Sequence, residues 1–264
     1  MTGPTDRDIT ASKAHRLREL HAGPGMLVLA NAWDAASARL VEKAGFPAIA
    51  TTSGGVAASL GYEDHEGAPM AEMLAAARRI IAAVNLPVTV DFEAGYGLAP
   101  REVAERLSEA GAAGMNLEDT DHRNGGLVNA EQQAERLAAV KSAARAAGVD
   151  LVLNARVDVF IQRAGTPEQQ LAEALRRARL YREAGADCIY PILLSDEAMI
   201  SELVRAAGVV NLNLRRGGAL SLDRAASLGV RRVSYATSLF RDTMGALEGF
   251  VQEVQAEAPA IQAG

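Results

Sequence analysis

The stretch Ser108-Glu109-Ala110-Gly111, followed shortly by Gly114-Met115-Asn116-Leu117, contains the pattern that decides the fold. A helix that ends in Ala-Gly precedes a short apolar strand. Glycine suits this junction because it adopts the left-handed conformation that ends a helix and turns the chain. The pattern recurs, for example at Arg145-Ala146-Ala147-Gly148 before Leu151-Val152-Leu153. The chain is therefore predicted to alternate helices and strands.

Eight strands are predicted from this repeat. Continuous apolar strands that alternate with helices are typical of a buried parallel sheet. Eight units favour a closed α/β barrel, the (β/α)₈ or TIM barrel, over a doubly wound open sheet. Because no linker or charge block interrupts the series, residues 1–264 are predicted to form a single barrel domain. The predicted strands lie near residues 27–31, 47–52, 87–91, 113–118, 151–156, 187–191, 209–213 and 232–236.

The composition argues against several functional classes. A single cysteine rules out an internal disulfide framework, and no Cys/His cluster offers a zinc site. The net charge of −6 disfavours nucleic acid as the general partner. No apolar run approaches the ~20 residues that span a bilayer, and residues 1–18 lack the apolar core of a signal peptide. We expect a cytoplasmic protein with no nucleic-acid or membrane partner.

Polar side chains follow most of the predicted strands at the point where each strand ends. In a barrel, the chemistry lies at this rim. Some of these residues have ordinary structural explanations: Asp34 could cap a helix, Ser53-Gly54-Gly55 could be a tight turn, and Arg156 with Asp158 could be an ion pair. In chain order the rim residues are Asn31, Trp33, Asp34, Ser53, Gly54, Gly55, Asp91, Glu93, Glu118, Asp119, Asn154, Arg156, Asp158, Asn211 and Asn213.

The acids of the third and fourth strands are harder to explain structurally. Asp91 and Glu93 lie two residues apart at the end of an apolar strand, so they project to the same face. Two carboxylates there repel each other and lose solvation unless a cation neutralises them. Glu118 would add a third. Hard oxygen ligands without clustered histidine favour Mg²⁺, or Mn²⁺.

Groups that could bind an acid substrate lie on neighbouring strands. The guanidinium of Arg156 suits a carboxylate beside an oxo group. The backbone N–H groups of Ser53, Gly54 and Gly55 could hold a carboxylate in a nest. The combination predicts a 2-oxo or 2-hydroxy acid chelated to the metal, which would stabilise an enolate when a bond at C3 breaks or forms.

In an ordered set of segments the chain resembles the isocitrate lyase/phosphoenolpyruvate mutase superfamily. The similarity extends from about Leu27 to the helix after Ser238. The segments are Ser53-Gly54-Gly55-Val56-Ala57-Ala58-Ser59-Leu60-Gly61 with Asp64, Val90-Asp91-Phe92-Glu93-Ala94-Gly95-Tyr96-Gly97, Leu117-Glu118-Asp119, Asn154-Ala155-Arg156-Val157-Asp158, Glu183-Ala184-Gly185-Ala186-Asp187 and Val233-Ser234-Tyr235-Ala236-Thr237-Ser238-Leu239-Phe240-Arg241.

The resemblance implies an assembly and a set of residue roles. The last helix would be exchanged between subunits of a homotetramer built as a dimer of dimers. Mg²⁺ would be held mainly by Asp91, with Glu93 and Glu118 orienting coordinated waters. The remaining expected roles are Ser53 and Gly54 on the substrate carboxylate, Asp64 near the reacting centre, Arg156 on the substrate and Asn211 beside it; Gly55, Trp33 and Asn124 complete the predicted substrate-binding set.

Departures from the family pattern bear on the reaction. The lyase branch carries a Lys-Arg-Cys-Gly-His lid, whereas residues 119–126 here contain no cysteine. Cys188 lies in an apolar strand and is interpreted as a core thiol. The lid also lacks the Lys-x-Asn-Ser pattern of the mutase and hydrolase branch. Glu93 replaces a second Asp, and Ile192 follows Pro191 where methylisocitrate lyases have a glutamate, which argues against a tricarboxylate substrate.

The leading hypothesis is a Mg²⁺-dependent lyase that releases pyruvate or its enol from a small 2-oxo or 2-hydroxy dicarboxylic acid. Oxaloacetate decarboxylation is its simplest version, because it requires no lid cysteine. Asp64 or His122 would handle protons, although a loop histidine is more often simply solvated. The alternatives are a phosphonopyruvate hydrolase or mutase type of enzyme acting on a C–P bond, and a non-catalytic 2-oxo acid binder.

Overall fold

The computed structural model describes residues 5–258, which alternate helices and strands as the glycine pattern predicts. The strands are Leu27–Leu29 (β1), Asn31–Ala32 (β2), Ile49–Thr51 (β3), Val88–Asp91 (β4), Gly114–Glu118 (β5), Val152–Val157 (β6), Cys188–Pro191 (β7), Asn211–Asn213 (β8) and Arg232–Ser234 (β9). The helices are Asp6–Ala22 (α1), Ala35–Lys43 (α2), Ser53–Leu60 (α3), Met70–Ala82 (α4), Pro100–Glu109 (α5), Ala130–Ala146 (α6), Val159–Gln162 (α7), Pro167–Glu183 (α8), Glu197–Ala207 (α9), Leu222–Ser227 (α10) and Ser238–Glu257 (α11).

The strands close into a parallel barrel. β1 and β2 are two halves of the first predicted strand, interrupted at Ala30, so the nine segments form a barrel of eight strands. Parallel pairing runs from β2 through β7 in chain order, while β1, β9 and β8 form the remainder. A bridge between Ile189 and Val210 joins β7 to the start of β8 and closes the circle. The predicted α/β barrel is confirmed.

The strand register brings the rim residues to common levels. Glu118 of β5 lies opposite Arg156 of β6, and Arg156 lies opposite Tyr190 of β7. One layer deeper, Asn116 is the register partner of Asn154. Inward-pointing side chains of a barrel stack in such layers. The register therefore separates a rim layer from a buried polar layer beneath it.

Local sequence signals set the ends of the helices. Gly111 and Gly148 adopt φ values of 84° and 83° just after α5 and α6, as the Ala-Gly pattern requires. Asp34 caps α2, because its Oδ1 accepts a hydrogen bond from the backbone N–H of Ser37 at 2.7 Å. The helix-cap interpretation of Asp34 is thus confirmed.

A helix that the repeat did not predict, α1, packs against the barrel end opposite the rim. Leu17 of this helix is fully buried and joins Leu27, Leu29 and Val152 in one apolar cluster. Burial of such side chains stabilises by about 1.5–3 kcal/mol each. Cys188 is also fully buried, and burial raises the pKa of its thiol to about 12, so the core-thiol interpretation is confirmed.

The last helix, α11, contrasts with the others because it has no buried residue. Within the described residues, no other element packs extensively against it. Its exchange between subunits therefore stays a prediction, since the structure contains one chain. Among the helices of residues 5–258, none is both long and apolar enough to cross a bilayer.

Candidate active site

A cavity of about 290 Å³ opens at the rim where the strands end. Six predicted site residues line it: Ser53, Asp64, Asp91, Glu93, Glu118 and Arg156. A larger open groove, of about 1130 Å³, lies between α1, α4, α5 and α6 at the other end of the barrel, away from these groups. The rim cavity is the candidate site because acids and a guanidinium converge there.

Asp91 is oriented by two neighbouring donors. Its Oδ2 accepts a hydrogen bond from the backbone N–H of Ser53 at 3.2 Å, and its Oδ1 accepts one from Nδ2 of Asn116 at 3.3 Å. A carboxylate offers about four acceptor positions, so lone pairs remain for a further ligand. Asp91 is thus fixed in direction while still able to bind a cation.

The polar layer beneath the rim fixes Asn116 in turn. Its Oδ1 accepts from Nδ2 of Asn154 at 2.8 Å and from a guanidinium nitrogen of Arg232 at 3.4 Å. Because both contacts are donors, the Asn116 amide must turn its own N–H₂ toward Asp91. Arg232 is fully buried and has no carboxylate ion pair within residues 5–258. Its charge lies below the acids of the rim.

Glu118 and Arg156 form the centre of the rim layer. The guanidinium NH1 of Arg156 lies 2.5 Å from Oε2 of Glu118. This ion pair engages the buried Oε2, although the contact lacks the alignment of a hydrogen bond. Burial raises the pKa of Glu118 to about 7, although Arg156 and His122 act in the opposite direction. Glu118 is therefore paired with Arg156 through Oε2 and with His122 through Oε1.

Glu93 is held by two loops. The backbone N–H of Glu66 donates to its Oε1 at 2.8 Å, and the hydroxyl of Tyr96 donates to its Oε2. Burial, together with the nearby charges of Asp91 and Asp64, raises the pKa of Glu93 to about 7. Glu93 has a φ of 49° and Tyr96 has a φ of 56°. Residues other than glycine seldom adopt this left-handed conformation, and where they do, the position is often part of a functional site.

The two proton-handling candidates lie in different places. Asp64 lines the cavity, and its Oδ2 lies 2.6 Å from the position that a Cβ atom on Gly54 would take. His122 lies behind the wall, with Nε2 2.6 Å from Oε1 of Glu118. That hydrogen bond raises the pKa of His122, against the effect of burial. His122 therefore contacts Glu118 and does not line the rim cavity, and its proton-handling role stays a prediction.

Several residues predicted to contact the substrate lie outside the cavity lining, so their substrate roles stay predictions. Asn211 is fully buried one layer below the rim, where it hydrogen bonds to Ser234. Asn124 lies in an exposed turn and donates to Asp121. Trp33 packs edge-on against Phe240, with ring centroids 5.4 Å apart.

The proposed backbone nest is also changed. The N–H of Ser53 donates to Asp91, and the N–H of Gly55 donates to Oγ1 of Thr52, the cap of α3. Two of the three predicted N–H donors are therefore already used within the protein. Gly54 is instead required for close approach, because a Cβ atom there would lie 2.6 Å from Asp64.

Two further rim residues predicted from the sequence, Asn31 and Asn213, line the cavity, whereas some other lining residues were not predicted. Asn213 reaches the cavity because it lies two residues nearer the end of β8 than Asn211 does. Tyr190, on β7, was not predicted as a site residue. The other unpredicted lining side chains include Tyr235, Thr237, Arg215 and Arg241. The rule that rim residues follow strand ends would have found Tyr190.

The donor set fits a hard divalent cation with water in its coordination shell. Within residues 5–258, no three His, Cys, Asp or Glu side chains lie close enough to ligate one ion directly. Mg²⁺ commonly binds through one or two carboxylates and keeps several waters. The oriented Asp91 suits the direct-ligand position, and Glu118, which is already paired with Arg156 and His122, suits a contact through water. The residues present therefore fit one direct ligand with the other acids acting through water.

The family assignment follows from sequence comparison. The family model described as phosphoenolpyruvate phosphomutase matches residues 17–255, which include all eight barrel strands and the cavity residues. The chain belongs to the phosphoenolpyruvate phosphomutase family. Among individual relatives, the 2-methylisocitrate lyase of Escherichia coli is 33% identical over 219 residues, which cover 77% of this chain and 71% of that protein. The resemblance to the superfamily is confirmed, and the chain is an enzyme of this lyase and mutase superfamily.

Solved structures of the superfamily share the fold. A Burkholderia cenocepacia protein provisionally described as a phosphonomutase has a TM-score of 0.86 and 41% identity, covering 91% of this chain and 99% of that chain. Oxaloacetate acetylhydrolase, solved with its product oxalate, has a TM-score of 0.83 and 25% identity over 92% of this chain and 87% of that chain. Phosphonopyruvate hydrolase, solved with oxalate and Mg²⁺, has a TM-score of 0.82 and 25% identity, at 95% and 89% coverage.

Proposed function

We propose that this enzyme is a Mg²⁺-dependent lyase that cleaves a C–C bond in a small 2-oxo or 2-hydroxy dicarboxylic acid and yields pyruvate or its enol. The observation that carries the proposal is the pairing of oriented Asp91 with Arg156 across one cavity of about 290 Å³. A cation site beside a guanidinium suits a substrate that has a carboxylate next to an oxo group. The volume restricts that substrate to a small acid.

Each residue of the cavity has a proposed role. Asp91 holds the cation, while Glu93 and Glu118 act through water. A bound Mg²⁺ supplies Lewis-acid polarisation of the 2-oxo group. Arg156 binds a substrate carboxylate, and its charge stabilises the enolate that forms when the bond at C3 breaks. Ser53 and Asp64 complete the wall on the α3 side.

Two relatives support this class of substrate. Oxaloacetate acetylhydrolase and phosphonopyruvate hydrolase were both solved with oxalate, a planar dianion that resembles the chelating end of enolpyruvate. The lid sequence, residues 119–126, contains no cysteine. Decarboxylation of oxaloacetate is the simplest reaction for this site, because loss of CO₂ requires chelation and enolate stabilisation but no lid thiol.

A second candidate keeps the cavity and changes the bond to C–P. The 41% identity to the Burkholderia cenocepacia protein provisionally described as a phosphonomutase favours it. Phosphonopyruvate also presents a carboxylate beside an oxo group, so Arg156 and the cation would bind it in the same way. Release of phosphate from phosphonopyruvate distinguishes this candidate from the lyase.

We further propose that α11 is exchanged with a second copy of the chain. Its exposed apolar residues are Met244, Leu247, Phe250, Val251 and Val254. Most follow the three- and four-residue spacing that forms one helical face. A stripe of this kind on a soluble helix marks an interaction surface. The dimer-of-dimers arrangement implied by the superfamily resemblance would cover it.

The lyase proposal is tested by measuring pyruvate formation from oxaloacetate with and without added Mg²⁺. The Asp91→Asn variant preserves the size of the side chain and removes its charge, and it should lose at least ~100-fold in kcat/KM. Asp223→Asn, in α10 and outside the cavity, is the matched control. Full activity of Asp91→Asn, or phosphate release from phosphonopyruvate as the faster reaction, would contradict the proposal.

A further inference from the structure

Tyr190 is a cavity residue whose hydroxyl has no assigned role. It lies on β7, is only 3% exposed and lines the rim cavity. Within residues 5–258, its hydroxyl makes no hydrogen bond to a protein group, whereas Tyr96 donates to Glu93 and Tyr181 donates to Asp119. Buried tyrosine hydroxyls usually have a hydrogen-bond partner. Tyr190 therefore offers a free donor to whatever occupies the cavity.

The position of Tyr190 links it to the substrate-binding guanidinium. It is the register partner of Arg156, on the neighbouring strand and at the same rim level. Burial raises the pKa of the Tyr190 hydroxyl, and the positive charge of Arg156 acts in the opposite direction. The hydroxyl is thus protonated at neutral pH, and Arg156 is placed to stabilise the tyrosinate that would remain after proton transfer.

The other candidate acids are less suitable. His122 does not line the cavity, and its Nε2 is already engaged by Glu118. Asp64 lines the cavity but is packed against α3, where its Oδ2 lies 2.6 Å from the position that a Cβ atom on Gly54 would take. Cys188, the single cysteine, is fully buried in the core. Tyr190 combines a nearly buried hydroxyl, which has no protein partner within residues 5–258, with a neighbouring cation, whereas the other cavity tyrosine, Tyr235, is only partly buried.

We propose that the Tyr190 hydroxyl delivers the proton to C3 of the enolate, an inference that rests on the proposed lyase function. When the C3–C4 bond of oxaloacetate breaks, its electron pair forms the C2=C3 bond of the enolate and CO₂ leaves. The enolate electrons then take the proton from the Tyr190 oxygen, which forms the C3–H bond and restores the 2-oxo group. The tyrosinate beside Arg156 regains a proton from water.

The Tyr190→Phe variant tests this role with two measurements. The first is exchange of the pyruvate methyl protons in D₂O, followed by NMR, which reports proton transfer at C3 without C–C cleavage. Removal of a general acid should slow it by ~100-fold or more. The second is calorimetric binding of oxalate in the presence of Mg²⁺, which should weaken by ~3–10-fold because one hydrogen bond is lost. Tyr62→Phe, whose hydroxyl contacts Glu72 outside the cavity, is the matched control.

The outcomes separate this inference from the proposed function. Slow exchange by Tyr190→Phe, with wild-type exchange by Tyr62→Phe and an unchanged melting temperature, supports the inference. Exchange and oxalate binding at wild-type levels in Tyr190→Phe would overturn it while leaving the lyase proposal intact. A wild-type enzyme that neither decarboxylates oxaloacetate nor exchanges pyruvate protons would overturn both, because no enolate would then form.

Discussion

Arg156 and Asp158 form a two-pronged hydrogen-bonded pair in the rim of the barrel, with Nε to Oδ1 at 2.6 Å and a second guanidinium nitrogen to Oδ2 at 3.0 Å. Asp158 is fully buried and Arg156 is 7% exposed. This geometry fixes the plane of the guanidinium, with NH1 against Oε2 of Glu118 and the side chain lining the cavity. Arg156 can therefore pair with Asp158 and still bind a substrate, so the two interpretations of Arg156 from the sequence are compatible.

The Arg156→Lys variant should retain the charge and lose the two-pronged geometry. We expect kcat/KM for oxaloacetate to fall by ~100-fold, since an ammonium cannot hold both Asp158 oxygens and a substrate carboxylate in one plane. Stability should fall by about 1–3 kcal/mol because Asp158 is left partly unpaired. Steady-state kinetics and urea unfolding measure the two effects. The exposed Arg205→Lys is the control, and equal kinetics for both variants would contradict the role of Arg156.

Mg²⁺ affinity should rise with pH up to about 7. The pKa values of Glu93 and Glu118 are raised to about 7, so both side chains take up protons as the pH falls through that range. Because a bound cation must displace those protons, the affinity should rise by up to ~10-fold per pH unit for each proton released. Mn²⁺ titration followed by EPR measures it. Glu93→Gln should flatten the slope, while the exposed Glu109→Gln should not; a pH-independent affinity between pH 5 and 7 would refute this account.

The same shifts predict the pH dependence of stability without metal. Both groups have folded-state pKa values above the ordinary value, so their contribution is fully present below about pH 4.3. It is lost as the pH rises through about 7, because the charged carboxylates are then buried. We expect the free energy of unfolding in EDTA to fall between pH 5 and 8, and added Mg²⁺ to reverse most of the loss. Urea unfolding at each pH, with Glu93→Gln for comparison, measures it.

Gly54→Ala should impair catalysis without unfolding the protein. The added Cβ would lie 2.6 Å from Oδ2 of Asp64 and 3.0 Å from Oγ1 of Thr237, so Asp64 must rotate away from the cavity wall. Alanine is otherwise favourable within α3. We expect a ~10-fold lower kcat/KM and a melting temperature within a few degrees of wild type. Gly245→Ala, with open space around its Cβ, is the control; wild-type kinetics for Gly54→Ala would show that Asp64 is dispensable.

Charges on the apolar face of α11 should reduce the oligomer size. Leu247 and Phe250 are 49% and 61% exposed in the single chain, and replacement of both by Glu would place charge in the proposed contact. Size-exclusion chromatography with light scattering should detect a smaller assembly. Glu248→Gln on the same helix is the control. A wild-type monomer, or an assembly unaffected by both charges, would contradict helix exchange.

The sequence by itself determined the fold and the location of the chemistry. Each Ala-Gly junction, such as Ala110-Gly111, is read from local conformational preference, since glycine alone relaxes at a φ of 84°. Asp91 and Glu93 were identifiable because acids after an apolar strand are costly wherever the strand is buried. α1 was missed because its burial depends on contact with the end of the barrel, which its own sequence does not show.

Only the tertiary structure decided which rim side chains meet in the cavity. Asn211 and Asn213 lie on one face of a strand, yet the first is buried one layer down and the second lines the cavity, because depth depends on barrel stagger. The contact of His122 with Glu118 likewise depends on how the lid folds back. The three acids predicted to manage a metal have distinct partners: Asn116 for Asp91, Tyr96 for Glu93 and Arg156 for Glu118. Those partnerships are set by strand register and loop packing, which are long-range properties that no local pattern encodes.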